Sequence, residues 1–344
     1  MITDGLRFLK SQPFFSNKER EWSERVKSSN IGGQAVIEGI MMRNGGHYSV
    51  AVRKQDGDIA VKTEEYKGVV QNRFLTKTPF IRGVFCFIDS LVLGMSTLSY
   101  AASFFEEDEE EAEQAKTREI TEEEQRRKDR NDKILMGIVT AISFVLAILI
   151  FTLLPYRLSL FFKDRIQSQT LLAVLEGVIR ILIFIAYLAL ISLMKDIRRV
   201  FMYHGAEHKC INCIEHGMEL NVANVQKSSR EHKRCGTSFI LIVAIISIIL
   251  FMFIRVSSPV LRVVIRLLLI PVIAGISYEF IKLAGSTDNR FISALSRPGL
   301  WMQGLTTREP EDDMVEVAIR AVEEVFDWRS FLKENFDENG RPLS

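Results

Sequence analysis

Residues 134–154 contain no charged side chain, and most of these 21 residues are apolar. A helix of that length rises about 30 Å, which matches the thickness of the hydrocarbon core of a bilayer. Because lipid offers no partner to backbone polar groups, such a segment must satisfy them internally as a helix. This stretch therefore predicts an integral membrane protein that is mainly α-helical.

Three further apolar segments bring the predicted number of transmembrane helices to four. They lie at residues 171–194, 238–254 and 260–280. The second span contains Glu176 and Arg180, and the fourth contains Arg262 and Arg266. Since an ionisable group inside a bilayer is costly, we expect Glu176 to pair with Arg262 or Arg266. The alternative for the arginines is to extend to the outer headgroups.

Residues 80–105 are also apolar, but Arg82 and Asp89 interrupt them. A span here would place basic segments on opposite sides of the membrane. We therefore interpret 80–105 as an interfacial or re-entrant helix at the cytoplasmic face.

Basic residues near the span ends predict the orientation, because cytoplasmic loops are enriched in Lys and Arg. The loop at residues 195–237 contains eight of them, whereas the connection at 155–170 contains three. Residues 1–30 are polar and have no secretory signal. We expect a multi-pass protein of the cell membrane with both termini in the cytoplasm. With a formal net charge of +1, nothing indicates a nucleic-acid partner, and the expected surroundings are the lipid bilayer.

The remaining segments are predicted to be cytoplasmic. Within residues 31–79, alternating strands at 47–52 and 59–65 flank an Asp-Gly turn and predict a β-hairpin. The glycines Gly32 and Gly33 are read as a turn. Residues 106–133 are highly charged and predict a solvated helix or linker.

Residues 284–344 are predicted to form a cytoplasmic tail that follows the membrane domain at 134–283. Apolar residues recur at helical spacing from 314 to 325, which predicts an amphipathic helix with Asp312 or Asp313 as N-cap. Thr306, Thr307 and Arg308 lead into this helix, and we expect them to cap it.

The loop at 195–237 concentrates histidine and cysteine. Four of the five histidines and three of the four cysteines lie between residues 204 and 235. So few cysteines do not suggest a disulfide framework, and their clustering with histidine favours a metal site.

His204 and His208 are four residues apart, so a helix places them on one face with Glu207 beside them. The pattern H-x-x-E-H is that of inverted zincins, in which Glu207 would be the general base. His232 and Cys235 return to the same membrane surface, so the candidate ligands are His204, His208, His232 and Cys235. Zinc is the expected ion for such nitrogen and sulfur donors. The alternative is a solvated helix face.

Further candidates are less specific. The spacing of Cys210, Cys213 and His216, C-x₂-C-x₂-H, is also typical of metal ligands. Glu279 is a candidate ligand or supporting acid, or it ends a span at the headgroups. Glu38 and Arg43 would complete a site if the glycine-rich stretch folded over the cytoplasmic face.

Five separated motifs resemble the DUF1385 family of bacterial polytopic membrane proteins. They are GGQAVIEGIMMR, HGAEHK, RCGTSF, GISYE and TTREP. The resemblance extends from residue 31 to about 325 and implies a membrane protein that has been labelled, by prediction, a metal-dependent enzyme. It also implies that Cys210 is not a ligand, because the family generally has another residue there. Lys233 stands where the family usually has proline.

Three functions are compatible with these features. The first is a metal-dependent hydrolase or peptidase acting on a membrane-associated peptide. The second is a non-catalytic membrane scaffold or a partner in membrane-protein biogenesis. In that case any metal is structural, and the cytoplasmic part binds another protein. The third is a transporter, although no internal repeat or broken-helix pair is evident.

Overall fold

The computed structural model describes residues 27–114, 122–232, 234–254, 256, 258–286, 290–337 and 340–343. Most of the predicted amino-terminal segment, Lys233 and part of the charged linker lie outside these ranges. The fold is mainly helical, with four long apolar helices and a small antiparallel sheet. The strands are β1 (Ile31–Val36), β2 (Gly39–Asn44), β3 (His47–Arg53) and β4 (Ile59–Glu65). The helices are α1 (Arg73–Lys77), α2 (Ile81–Gln114), α3 (Glu122–Ile148), α4 (Leu154–Leu160), α5 (Gln169–Ile191), α6 (Lys195–Glu215), α7 (Val222–Lys227), α8 (Gly236–Met252), α9 (Pro259–Ser286), α10 (Arg290–Thr306), α11 (Asp312–Glu323) and α12 (Trp328–Asn335), with a π-helical turn at Leu149–Leu153 between α3 and α4.

The sheet runs in the order β1-β2-β3-β4. The predicted hairpin is confirmed as β3 and β4, which pair from His47 opposite Glu65 to Arg53 opposite Ile59. The predicted turn at Gly32 and Gly33 is wrong, because both glycines lie inside β1. The chain turns instead at Glu38, which has a φ of 48° and forms an ion pair with Arg199 of α6.

Both faces of the sheet are covered. Ile31, Ile40, Met42 and Ala51 belong to a core with buried residues of α6 and α11. Val36, Met41, Tyr48, Val50 and Val52 form a second core with Leu93 and Ala101 of α2. Because side chains alternate along a strand, neighbouring residues such as Met41 and Met42 enter opposite cores. The sheet is thus the middle layer between α2 on one side and α6 with α11 on the other.

Helix α2 contacts the membrane helix α9 at its start and the sheet further along. A Cβ at Gly275 would lie 2.4 Å from the carbonyl oxygen of Phe80, so the GISYE glycine allows close approach. Glu279 pairs with Arg82 and accepts a hydrogen bond of 3.1 Å from the backbone N–H of Phe80. Residues 81–105 are long and apolar enough to cross a membrane. Their interfacial placement stays a prediction.

Three of the four predicted spans meet the same criterion of length and composition. The qualifying segments are Gly137–Leu160, Gln169–Ile191 and Val264–Ala284. The predicted span at 238–254 coincides with α8, whose apolar part, Ser238–Met252, is shorter.

The predicted ion pair within the membrane helices is confirmed for Arg266. Its Nη1 lies 2.6 Å from Oε1 of Glu176, and Nη2 of Arg180 lies 3.0 Å from the same oxygen. Glu176 is only 4 % exposed. The side chain of Arg262 lies outside the described part of the chain.

The predicted amphipathic helix of the tail is confirmed as α11, which buries Met314, Val315, Val317, Ala318, Ala321 and Val322. Its N-cap is Glu311, one residue before the predicted Asp312. The capping role predicted for Thr306, Thr307 and Arg308 is wrong. Thr306 ends α10, and the backbone N–H of Arg308 donates to the carbonyl of Phe201 at 2.8 Å, which holds this segment across α6.

Candidate metal centre

Helix α6 presents His204 and His208 on one face, with ring centroids 4.4 Å apart. Gly205 lies between them, and a Cβ there would be 2.0 Å from the carbonyl oxygen of Arg308. The glycine therefore allows the chain after α10 to pass directly over the helix. The predicted helical H-x-x-E-H arrangement is present, on a buried part of α6 rather than on a solvated face.

Both imidazoles are held by backbone carbonyls. His204 Nδ1 lies 2.9 Å from the carbonyl oxygen of Thr306, and His208 Nδ1 lies 2.6 Å from that of Arg230. Since a carbonyl only accepts, each Nδ1 must carry the proton, which leaves the Nε2 lone pair available as a ligand. The sequence did not reveal these partners, because a carbonyl has no residue-type signature.

Cys235 completes the group. Its Sγ lies 3.3 Å from His204 Nε2, and the ligand atoms of His204, His208 and Cys235 all lie within 4.8 Å of one another. Burial alone would raise the pKa of Cys235, but the facing imidazoles of His204 and His208 bring it well below its usual range. The thiolate, which is the form that binds metal, is therefore favoured.

The pKa of His204 is shifted in the opposite direction to that of Cys235. Burial alone would lower the pKa of His204, but the facing Cys235 and Glu207 raise it to about 9. Without a metal, a proton on the imidazole thus compensates the thiolate. A metal cation at the same point would replace that proton, so the three residues could hold a metal ion.

Glu207 lies at the edge of this group. Its Oε2 is 3.9 Å from His204 Nε2, and the residue is 5 % exposed. On its other side is β1, where a Cβ at Gly33 would lie 3.0 Å from the Glu207 Cγ. The second glycine of GGQ therefore leaves room for the carboxylate.

His232 lies beside the group and not within it. Its ring centroid is 5.7 Å from that of His208, and its Nε2 lies 3.5 Å from Oε2 of Glu215. The side chain of Gln303 clamps the backbone of His232, accepting from its N–H at 2.9 Å and donating to its carbonyl at 2.8 Å. Of the ligand pair His232 and Cys235, this geometry brings Cys235 to His204 and His208.

Glu215 is a buried acid that the sequence analysis missed. Its carboxylate accepts hydrogen bonds of 2.7 Å from the backbone N–H and the hydroxyl of Ser29, and it pairs with Arg234. Burial alone would raise the pKa of Glu215, but His232 and Arg234 bring it to about 2. The network joins the end of α6 to the segment that delivers Cys235.

The other candidates lie elsewhere. Burial raises the pKa of the Cys210 thiol well above its usual value and that of Cys213 to about 12, and both belong to the core between α6 and the sheet. His216 Nδ1 bonds the carbonyl of Asn212 at 2.7 Å. Glu279 forms an ion pair with Arg82, and Glu38 forms an ion pair with Arg199. Arg43 donates to the carbonyl of Gly45 at 2.9 Å.

Comparison with known proteins identifies the family. Residues 78–328 match DUF1385, a protein family of unknown function. The chain is 34% identical over 305 residues to the uncharacterized protein YqhQ of Bacillus subtilis (strain 168), covering 88% of this chain and 94% of that protein. No solved structure matches the chain. The match over most of both sequences means that this protein belongs to the DUF1385 family.

Proposed function

We propose that this membrane protein is a zinc-dependent hydrolase whose metal centre faces the cytoplasm. The proposal rests on one observation: three ligand atoms within 4.8 Å of one another, two of them on imidazoles already oriented by carbonyls. Tetrahedral zinc with Zn–N of about 2.0 Å and Zn–S of about 2.3 Å separates neighbouring donors by roughly 3.3–3.7 Å. The separation of 3.3 Å between Cys235 Sγ and His204 Nε2 lies in this range, and bound zinc would draw the remaining donors, which lie within 4.8 Å, closer together.

Three protein ligands leave a fourth position for water, which is the usual arrangement of catalytic rather than structural zinc. Bound zinc would supply Lewis acidity and lower the pKa of that water. Glu207 is the group placed to accept the proton and to return it to the leaving group. Thr306 and Arg230 keep His204 and His208 in the ligating orientation through their carbonyls.

The packing of the soluble parts supports a membrane topology for this site. The sheet, α6 and α11 pack in one core, so they lie on the same side of the membrane. The chain must then cross an even number of times between the sheet and α6. The segments Gly137–Leu160 and Gln169–Ile191 supply two crossings, which leaves α2 at the interface. Helices α8 and α9 likewise supply the two crossings between α6 and α11.

Two further observations agree with this topology. The face of α2 that points away from the sheet exposes Leu91, Met95 and Leu98, as an interfacial helix requires. The excess of basic residues in the loop at 195–237 favours the cytoplasm for the shared side.

Metal analysis of the purified full-length protein tests the proposal. We expect about one zinc per chain, lost in His204→Ala and Cys235→Ser, and kept in Cys210→Ser as a matched control for removing a buried thiol. Glu207→Gln should keep the metal and lose hydrolysis of a membrane-associated peptide. Wild-type protein without stoichiometric metal, or a fully active Glu207→Gln variant, contradicts the proposal.

A non-catalytic scaffold is the second candidate. It is favoured by the way the site joins distant parts of the chain: Thr306 follows the last membrane helices, and Glu207 lies against β1. In that case metal ties the cytoplasmic layers together and presents them to a partner protein. Affinity capture from membranes separates the two functions. A partner lost in His204→Ala but kept in Glu207→Gln supports the scaffold.

A further inference from the structure

A group of basic side chains lies next to the candidate metal centre. This basic cluster consists of Arg198, Lys209, Arg230 and Arg308. Helix α6 carries the first two. The other two come from the segments that orient the histidines, since the carbonyl of Arg230 holds His208 and Arg308 follows Thr306 by two residues.

The basic cluster carries more positive charge than the nearby carboxylates neutralise. Glu309, which is itself 65% exposed, lies 2.8 Å from Nζ of Lys209 and 3.7 Å from Nε of Arg230. Among the described residues, neither Arg198 nor Arg308 has a carboxylate within ion-pair distance. Two guanidinium groups thus lack an acidic partner.

The three arginines are close to one another. The hydrogen bond of 2.8 Å from the N–H of Arg308 to the carbonyl of Phe201 places Arg308 against the turn of α6 that contains Arg198. Within the described part of the chain, the side chain of Arg308 makes a single long bond, of 3.4 Å, to the carbonyl of Gly304. Burial, together with the positive charges of Arg230 and Arg198, lowers the pKa of Arg308. A bound anion would relieve this repulsion.

The basic cluster also lies close to the membrane surface. Arg198 lies in the first turn of α6, and only the three residues 192–194 separate α6 from the end of the apolar helix α5. Between them, Leu193 and Met194 are 73% and 55% exposed. On the other side, Trp301 of α10 is 45% exposed and precedes Arg308 by seven residues. Exposed apolar and tryptophan side chains beside arginines are typical of the headgroup level.

We propose that Arg198, Arg230 and Arg308 bind the phosphate group of an anionic membrane lipid beside the metal centre. Guanidinium groups suit this ligand, because each can donate two parallel hydrogen bonds to phosphate oxygens. Bound lipid fixes the soluble layers against the bilayer and brings the metal centre to the headgroup surface. The site does not depend on hydrolysis, so it is independent of the proposed function.

The test is lipid binding to the full-length protein in a nonionic detergent, followed by native mass spectrometry. Phosphatidylglycerol is titrated against wild type and against Arg198→Gln/Arg230→Gln/Arg308→Gln. With about 1 kcal/mol per basic residue near a surface, we expect binding to weaken roughly 10- to 100-fold. Arg320→Gln/Arg329→Gln/Arg341→Gln removes the same charge from exposed positions of the tail and should bind as wild type.

Two further measurements make the outcome decisive. The Lys substitutions at the same three positions keep the charge but not the paired hydrogen bonds, so they should restore part of the binding, which separates loss of the site from loss of folding. Inorganic phosphate alone should neither bind in the millimolar range nor displace the lipid, because it lacks the acyl chains that contact the apolar surface beside the basic cluster. Equal binding by the cluster variant, equal loss in the tail control, or displacement by inorganic phosphate would overturn the proposal.

Discussion

At the scale of single residues, glycines determine what can approach the candidate metal centre. Gly33 leaves room for Glu207, and Gly205 lets the carbonyl of Arg308 lie against α6. Neither glycine has a positive φ, so their role is close approach and not backbone freedom. From the sequence, Gly33 is read as part of a turn and Gly205 is given no role, because nothing local shows what they contact.

A first prediction concerns the two neighbouring glycines of β1. The new Cβ of Gly33→Ala would lie 2.6 Å from the Met41 carbonyl oxygen and 3.0 Å from the Glu207 Cγ. Both the neighbouring strand and Glu207 should therefore be displaced. Gly32→Ala is the matched control, because nothing lies within 4 Å of its Cβ. Overpacking typically costs about 1–3 kcal/mol, so thermal unfolding should occur at lower temperature in Gly33→Ala only. Equal midpoints for the two variants would contradict the assigned contact.

A second prediction concerns the acid Glu215. Its pKa falls from 4.5 to about 2 on folding, so the ionised carboxylate stabilises the protein above pH 4.5. That stabilisation is lost as the pH falls from 4.5 towards 2, and amounts to about 3 kcal/mol at neutral pH. Glu215→Gln should therefore unfold more easily than wild type at pH 7, with the difference shrinking on acidification.

The control for this measurement is Glu219→Gln, which changes an exposed carboxylate a few residues away. It should leave the pH dependence of unfolding unchanged. A stability difference between Glu215→Gln and wild type that does not vary between pH 7 and pH 3 would rule out the ionised form as the stabilising one.

At the scale of elements, segments whose apolar residues recur at regular spacing were predictable from the sequence, whereas strands β1 and β2 were not. The helical face of His204 and His208, the hairpin of β3 with β4 and the tail helix α11 follow from residue spacing. Strand β2 does not, because both of its faces are buried, and β1 does not, because two of its six residues are glycines, which disfavour strands. The ion pair of Glu176 was predictable because a charge within a membrane helix demands a partner.

A third prediction belongs to this ion pair. Glu176→Gln leaves Arg180 and Arg266 packed between α5 and α9 without their carboxylate. Removing one member of a buried pair costs roughly 3–5 kcal/mol, so the thermal midpoint in detergent should fall sharply. Asp164→Asn removes an acidic charge from an exposed turn and should leave the midpoint unchanged. A Glu176→Gln variant as stable as this control contradicts the structural role of the pair.

At the scale of the whole molecule, the sequence predicted a helical membrane bundle but not how its soluble segments combine. About a hundred residues or more separate the sheet from α6 and α6 from α11, and no local pattern encodes their packing. The same applies to the site, where Cys235 joins His204 and His208 only after the bundle closes. The spacing proposed four candidate ligands, and three of them, His204, His208 and Cys235, lie together in the structure.

A fourth prediction follows from this shared core. In a Cys86→Ser background, Asp58→Cys in the turn before β4 and Glu334→Cys in α12 should react alike with a membrane-impermeant maleimide. Both should be protected in intact cells and labelled after lysis, whereas Asp164→Cys between α4 and α5 should be labelled in intact cells. The native Cys210, Cys213 and Cys235 are buried and should stay unlabelled. Opposite behaviour at positions 58 and 334 contradicts the proposed topology.

The contact between the sheet and α11 has a consequence for biosynthesis. The sheet is complete once residue 65 has been made, but the helix that covers one of its faces begins at residue 312. At about 5–20 residues per second, roughly 10–50 s of translation separate the two. During that time Ile40, Met42 and Ala51 have no α11 to pack against, while four apolar segments leave the ribosome for the membrane. The nascent amino-terminal sheet is therefore a natural client for a chaperone until α11 has been made.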